Sequence, residues 1–148
     1  MNTAYVTFSE AETSRVARDL VRRLAPRATV LLHGELGAGK TAFVRGLVQG
    51  AGGSSEDVSS PTFILVQEYS GARKVFHVDL FRLTPLEIDD FLPELDHLMS
   101  QDGILAIEWA DRMREPFSDA VTVVIEDKGA DRRRIVIDEA NRSSDSAP

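Results

Sequence analysis

The stretch Val30–Gly46, VLLHGELGAGKTAFVRG, decides how the rest of the chain is read. An apolar run ending at His33 leads into Gly34-Glu35-Leu36-Gly37-Ala38-Gly39-Lys40-Thr41, and Ala42 opens an amphipathic run beyond it. The octet has the form G-x-x-x-x-G-K-[ST]. Its glycines let the backbone curl so that several N–H groups converge on one phosphate. The helix that follows adds its positive N-terminal end. Lys40 can reach the β- and γ-phosphates, and Thr41 can set its hydroxyl on Mg²⁺. With glycine at about 7% of residues, a chance match in a chain of this length has a probability of roughly 0.5%. The strand before the octet and the helix after it supply the context that a phosphate-binding loop needs. Glu35 would repel a phosphate if it faced inward, so its side chain is expected to point out.

Outward from the octet, AYVTF (4–8) alternates as a short strand. Ser9 and Glu12 form a capping-box pair opening a helix that runs to about Leu24, with Val16, Leu20, Val21 and Leu24 on the buried face and Pro26 as its stop. The continuous apolar run TVLLH (29–33) predicts a parallel strand covered on both sides. The glycine loop starts a second helix near Gly39 that ends near Gln49, and GAGGSSEDVSS (50–60) is a loop by composition. TFILVQEY (62–69) and KVFHVDLF (74–81) read as a hairpin joined by SGAR. Thr84, Pro85 and Glu87 supply a cap, an N1 proline and an N3 glutamate, while Pro93 predicts two short helices rather than one. ILAIEW (104–109) is a strand, and AVTVVIE (120–126) with RRIVID (133–138) forms a closing hairpin. NRSSDSAP (141–148) reads as a disordered tail. The pattern predicts one α/β domain over residues 1–140, a three-layer P-loop NTPase fold with a mixed central sheet and helices on both faces.

With 148 residues, 43% of them apolar, the chain can bury one core but has little room for a separate substrate domain. The net charge is -7, and no basic stripe with interleaved aromatics is present, which disfavours non-specific nucleic-acid binding. The cluster RRRI (132–135) reads first as a solvated strand face. The absence of cysteine excludes disulfides, thiolate catalysis and cysteine-ligated metals, and fits a reducing cytoplasm. No apolar run reaches membrane-spanning length and the N-terminus has no basic-then-apolar signal pattern, so a cytoplasmic protein with no membrane segment is expected.

Hydrolysis needs a fixed Mg²⁺ and an oriented water besides the phosphate loop. Glu108 ends the run ILAIE, where P-loop proteins carry an acidic residue, and could act on Mg²⁺ directly or through water. The alternative is a solvated glutamate at a strand end. Strand alternation sets Val75, His77 and Asp79 on one face. A carboxylate among so many apolar neighbours is expensive to bury unpaired. Asp79 therefore serves Mg²⁺ through water, orients the attacking water, pairs with Arg82 or caps a turn. His77 reads as a packed or hydrogen-bonded histidine rather than a ligand. In SSPTF (59–63), Thr62 is either a γ-phosphate sensor or part of an ordinary turn. Trp109, the single tryptophan, turns away from Glu108 if the strand continues; it is either a core residue or, at a strand end, part of a recognition surface. No N-K-x-D guanine-reading motif is present, which disfavours a conventional GTPase.

Four blocks, GELGAGKT, SPTF, HVDLFRL and IEW, resemble in order and spacing the bacterial TsaE (YjeE) ATPases, and the likeness spans about residues 9–137. The resemblance implies an ATP site in the octet, with Mg²⁺ held by Thr41 and Glu108. It implies a part in hydrolysis for Asp79, a nucleotide-sensitive loop at Thr62, and places near the nucleotide for Thr13 and Trp109. Arg133, in a run of three arginines, corresponds to an arginine near the base. The implied activity is a slow, partner-dependent ATPase in the N6-threonylcarbamoyladenosine modification of tRNA. The implied partners are a TsaD-like transferase subunit and its TsaB-like paralogue, with tRNA engaged only through that complex. The chain departs from the family pattern at Ala17, where glycine is common, at Ala110-Asp111 after IEW, and in IDDFLPEL (88–95). Two other readings remain for the residues by themselves: a small-molecule kinase on the same loop, and a nucleotide-gated interaction module with negligible turnover.

Overall fold

The structure, a computed structural model, describes residues 2–35, 37–54, 56, 58, 66–113 and 119–139. The expected tail (141–148), Leu36, Thr62 and the first half of the strand expected at 62–69 lie outside the described residues. The described elements run β1 (Asn2–Thr7), α1 (Glu10–Val21), β2 (Arg27–His33), α2 (Lys40–Gly50), β3 (Val66–Tyr69), β4 (Val75–Asp79), α3 (Pro85–Met99), β5 (Gly103–Glu108), β6 (Val121–Gly129) and β7 (Arg132–Asp138). A 3₁₀ turn at Ala110–Arg112 follows β5.

The strands form one sheet in the order β1-β7-β6-β2-β5-β4-β3. β2 is parallel to both β5 and β6, and β4 is parallel to β5. The flanking pairs β1–β7, β6–β7 and β3–β4 are antiparallel, which gives the mixed sheet. Near-continuous apolar runs end up at the centre because those strands are covered on both faces. All six residues of β5 are buried. Along it, Ile104 and Ala106 join the core beneath α1 and α2, while Leu105 and Ile107 join the core beneath α3. β2 divides the same way, Val30 and Leu32 to one side and Leu31 to the other. Helices therefore cover both faces, as the three-layer reading expects.

Ser9 caps α1, its hydroxyl accepting from the Glu12 N–H at 3.1 Å, while the Glu12 carboxylate accepts from the Phe8 N–H at 2.8 Å. α1 ends at Val21 rather than Leu24, yet Leu24 stays in the core beyond the helix end. Its tightest face uses small residues instead of Val16, which is only half-buried. A Cβ built on Gly46 of α2 would lie 2.2 Å from the Ser14 carbonyl oxygen and 2.6 Å from the Ala17 Cβ. The two helices cross at the distance that a glycine at 46 allows. Ala17 packs directly against that glycine and is fully buried.

α3 corrects the expectation of two short helices. It runs unbroken through Pro93 from a complete Thr84–Glu87 capping box. A helix-interior proline loses one hydrogen bond and crowds the preceding turn. Here the ring is exposed, and Ile88, Leu95 and Leu98 form one buried stripe reaching across it. Burial on both sides of Pro93 holds the two halves on the same sheet face.

Candidate nucleotide site

The site lies at the carboxyl ends of the parallel strands, where open α/β sheets bind ligands. Gly34 follows β2, Asp79 ends β4, and Glu108 ends β5 directly opposite Asp79. Alternation turns both carboxylates toward the face that carries α2. Gly39 stands at the N-cap of α2 with φ 115°, a backbone that side-chain-bearing residues rarely adopt. That turn aims the helix N-terminus, whose first N–H groups lack intrahelical partners, at the end of β5.

Lys40 is only 5% exposed. Its ammonium donates to the Gly34 carbonyl at 2.7 Å, lies 3.7 Å from Glu108 Oε1, and sits 4.2 Å from the centre of the Trp109 ring. Glu108 is equally buried, and its other oxygen meets His77 Nε2 at 2.5 Å. A buried cation between a carboxylate, a carbonyl and an aromatic face is well satisfied, and a phosphate could replace the carbonyl contact.

Trp109 meets the strand-end alternative, since β5 does not continue through it. β5 ends at Glu108, and Trp109 takes the left-handed conformation with φ 63°. The indole lies over Lys40 and against Phe81, whose ring centre is 4.9 Å away. The indole also packs against the core beneath α3, the face opposite Glu108. Such a conformation strains a bulky residue and is not marked by any sequence signal.

Asp79 is half-buried, and its Oδ1 accepts from the Phe81 N–H at 2.9 Å, so it caps a turn while lining the site. Burial raises its pKa above the ordinary carboxylate value. The Phe81 N–H opposes this, Glu108 adds to it, and His77 and Lys40 lower it. Asp79, Glu108, Lys40, Thr41 and Trp109 share a cavity of about 190 Å³. A second cavity of about 330 Å³ adjoins it across Gly37, Gly39 and Ala42, and brings in Phe8, Thr13, Asp131 and Arg133. The Thr13 hydroxyl is buried 2.8 Å from that of Thr7. Of the three adjacent arginines, Arg133 turns toward the loop, its guanidinium donating to Asp127 at 3.1 Å and its Nε 3.7 Å from where a Gly39 Cβ would stand. Glu35 and Gly37 are exposed, Ala38 is buried, and Glu35 faces neither cavity.

Among the described residues no three His, Asp or Glu side chains cluster as a metal site. Two carboxylates and a threonine hydroxyl beside a phosphate cradle nevertheless suit Mg²⁺, which takes few protein ligands and keeps phosphate oxygens and water. Sequence reasoning did not bring forward Phe8, Glu10, Phe81 or Asp131. Phe81 stands two residues after Asp79 in HVDLFR, and an aromatic at that alternating position past the strand end was the available signal. A wider groove of about 550 Å³ lies at the opposite end of the sheet, beside Pro26 and Gly103. It is away from the strand carboxyl ends, and its Arg73 is engaged with carbonyls of the segment after α1.

Known proteins resemble this chain in sequence and in fold. A family model described as threonylcarbamoyl adenosine biosynthesis protein TsaE matches residues 7–135. The protein described as tRNA threonylcarbamoyladenosine biosynthesis protein TsaE from Synechocystis is 41% identical over 105 residues, covering 68% of this chain and 66% of that protein. The Treponema pallidum protein of the same description is 38% identical over 73% of this chain and 78% of its own length. The Bacillus subtilis one is 33% identical over 87% of this chain and 80% of its own length. The crystal structure of Bacillus subtilis YdiB superposes with a TM-score of 0.73 and 25% identity, over 97% of this chain and 90% of that one. A family match spanning both the phosphate loop and the β6–β7 hairpin, with relatives one-third identical or more, means that this chain belongs to the TsaE family.

Proposed function

We propose that this protein binds ATP with Mg²⁺, hydrolyses it slowly by itself, and serves as an accessory ATPase in the threonylcarbamoyladenosine modification of tRNA. The observation that carries this reading is the buried Lys40 ammonium, held between the start of α2 and the paired strand ends bearing Asp79 and Glu108. The loop Gly34–Thr41 would cradle the phosphates through its backbone, with Lys40 on the β- and γ-phosphates. Thr41 and Glu108 would hold Mg²⁺, which supplies charge neutralisation on the transferring phosphoryl group. Asp79 would orient the attacking water, or reach Mg²⁺ through one, with the oxygen that Phe81 leaves over. The larger cavity beside Phe8, Thr13 and Arg133 would take the nucleoside. Trp109 and Phe81 would close the phosphate end.

The names of the relatives support the pathway. The chain's acidic charge and lack of a basic stripe support action on a protein complex rather than direct capture of tRNA. The partners are a TsaD-like transferase subunit and a TsaB-like paralogue, and ATP turnover resets that complex between cycles. We assign this action to the cytoplasm. No helix among the described residues is long and apolar enough to cross a membrane. The test is reconstitution of tRNA modification with those two partners. Multiple turnovers should require this protein, and Lys40→Ala should leave only the first turnover. Cycling that proceeds equally without this chain would overturn the assignment.

A further inference from the structure

His77 is completely buried in the middle of β4 and is the one polar side chain in that strand's core. Alternation sets it on the same face as Asp79, two residue pairs below Glu108: in the β4–β5 register His77 stands opposite Ala106, and Asp79 opposite Glu108. The Glu108 side chain folds back along that diagonal, and Oε2 meets His77 Nε2 at 2.5 Å inside the core. His77 Nδ1 has no hydrogen-bond partner among the described residues. A buried polar side chain that leaves one nitrogen orphaned costs stability, so packing alone gives no reason for a histidine here. Hydrogen-bond accounting assigns the donor to Nε2, since the carboxylate oxygen can only accept from it.

We propose that His77 is a positioning residue for Glu108. Its Nε2–H pins Oε2 in the core and so presents Oε1 to the cavity, 3.7 Å from Lys40 Nζ. Without that donor, both oxygens of a buried carboxylate would seek the Lys40 ammonium beside it. Glu108 would then close on Lys40 in a two-oxygen contact and leave the position from which it serves the metal. This inference rests on the reading of Glu108 as a Mg²⁺ group. Outer-shell partners of metal-binding residues typically change metal affinity by about 10–100-fold when removed.

The experiment is calorimetric binding of ADP across a Mg²⁺ titration, a measurement without turnover, in three variants. His77→Leu fills the space without a donor. His77→Gln carries an amide nitrogen at the same distance from the backbone as Nε2. His77→Asn carries one a bond short. Half-saturating Mg²⁺ should rise about tenfold in the Leu and Asn variants and stay within about threefold of the parent in Gln. ADP binding without Mg²⁺ should change by less than about threefold in all of them. If Leu does not fold, the Gln–Asn contrast decides alone, because both are polar and only donor position separates them. Equal Mg²⁺ dependence in Gln and Asn overturns the proposal. Glu108→Ala separates the two layers. If it shifts Mg²⁺ dependence while the histidine variants do not, the positioning role fails and the Glu108 reading stands. If Glu108→Ala also has no effect, both fall.

Discussion

Asp79 pairs a stabilising turn contact with a destabilising environment. The Phe81 N–H gains an acceptor, but burial raises the carboxyl pKa above its ordinary 3.8. The folded protein therefore keeps this proton to higher pH than the unfolded chain does. Between the unfolded and folded values the native state binds more protons, so stability falls as pH rises through that window. The full penalty is present at neutral pH and absent below the unfolded value. Asparagine keeps an acceptor for Phe81 and removes the charge. In the absence of nucleotide and Mg²⁺, Asp79→Asn should melt higher than the parent at about pH 7, by roughly 1–2 °C once solvent screening of a half-exposed group is allowed for. The gap should close as the pH is lowered toward 3.8. Melts in which the gap is constant with pH, or reversed, would remove desolvation as the dominant influence on this group. At this scale the sequence was most informative where chemistry is local. The octet, Asp79 and Glu108 stand in contiguous patterns, and the β4–β5 register then brings the two carboxylates to one face. The contact of Trp109 with Lys40 was not legible from periodicity, because it depends on a left-handed residue with φ 63° just past the strand, and Arg133 was one of three arginines until the strand register turned it inward.

Elements were legible where a cap or a period marks them, and less so where tertiary burial overrides a local rule. Ser9 and Thr84 both cap as their spacing predicts. Pro93 does not divide α3, because Ile88, Leu95 and Leu98 are buried on both sides of it. That override has a measurable consequence. Pro93 is exposed, and alanine there could donate the N–H that proline lacks toward the Asp89 carbonyl. Pro93→Ala should stabilise the protein by about 1–2 kcal/mol, below the ~3 kcal/mol propensity difference because proline also restricts the unfolded chain. Chemical denaturation would read it as a raised midpoint with unchanged slope. A lowered midpoint would mean that α3 depends on a bend at this position. The α1–α2 crossing makes the opposite prediction. A methyl on Gly46 would meet the Ser14 carbonyl oxygen at 2.2 Å, and backbone cannot turn aside as a flexible side chain can. Alanine is the better helix former by about 1 kcal/mol, yet Gly46→Ala should destabilise by at least about 2–3 kcal/mol as the helices are forced apart. A neutral or stabilising result in the same denaturation assay would refute the close crossing.

The whole molecule brings together what no single window of sequence contains. The two cavities are lined from four separated places: the start of α1 through Ser9 and Thr13, the glycine loop, the ends of β4 and β5, and the β6–β7 hairpin through Asp131 and Arg133. The apolar runs showed that β2 and β5 would be central. They could not show the strand order, because pairing β6 parallel to β2 and closing the sheet with β1 beside β7 is a long-range choice. That order is what carries the last hairpin back to a loop nearly a hundred residues earlier in the chain. The family likeness, more than periodicity, pointed to Arg133 and Thr13. A ligand held by four segments on both sides of the sheet's centre should stabilise the molecule as one unit rather than one half of it. Binding to the native state alone adds about 2.7 kcal/mol when ligand stands at a hundred times its Kd. For a chain of this size that is a rise in Tm of roughly 5–10 °C. Calorimetry with ADP and Mg²⁺ should therefore show one transition displaced upward, with hydrogen exchange slowed both in β6–β7 and at the end of β4. Lys40→Ala should lose most of the displacement, and chelating Mg²⁺ should lose part of it. A second transition that stays in place, or protection confined to the phosphate loop, would mean that the hairpin bearing Arg133 takes no part in holding the nucleotide.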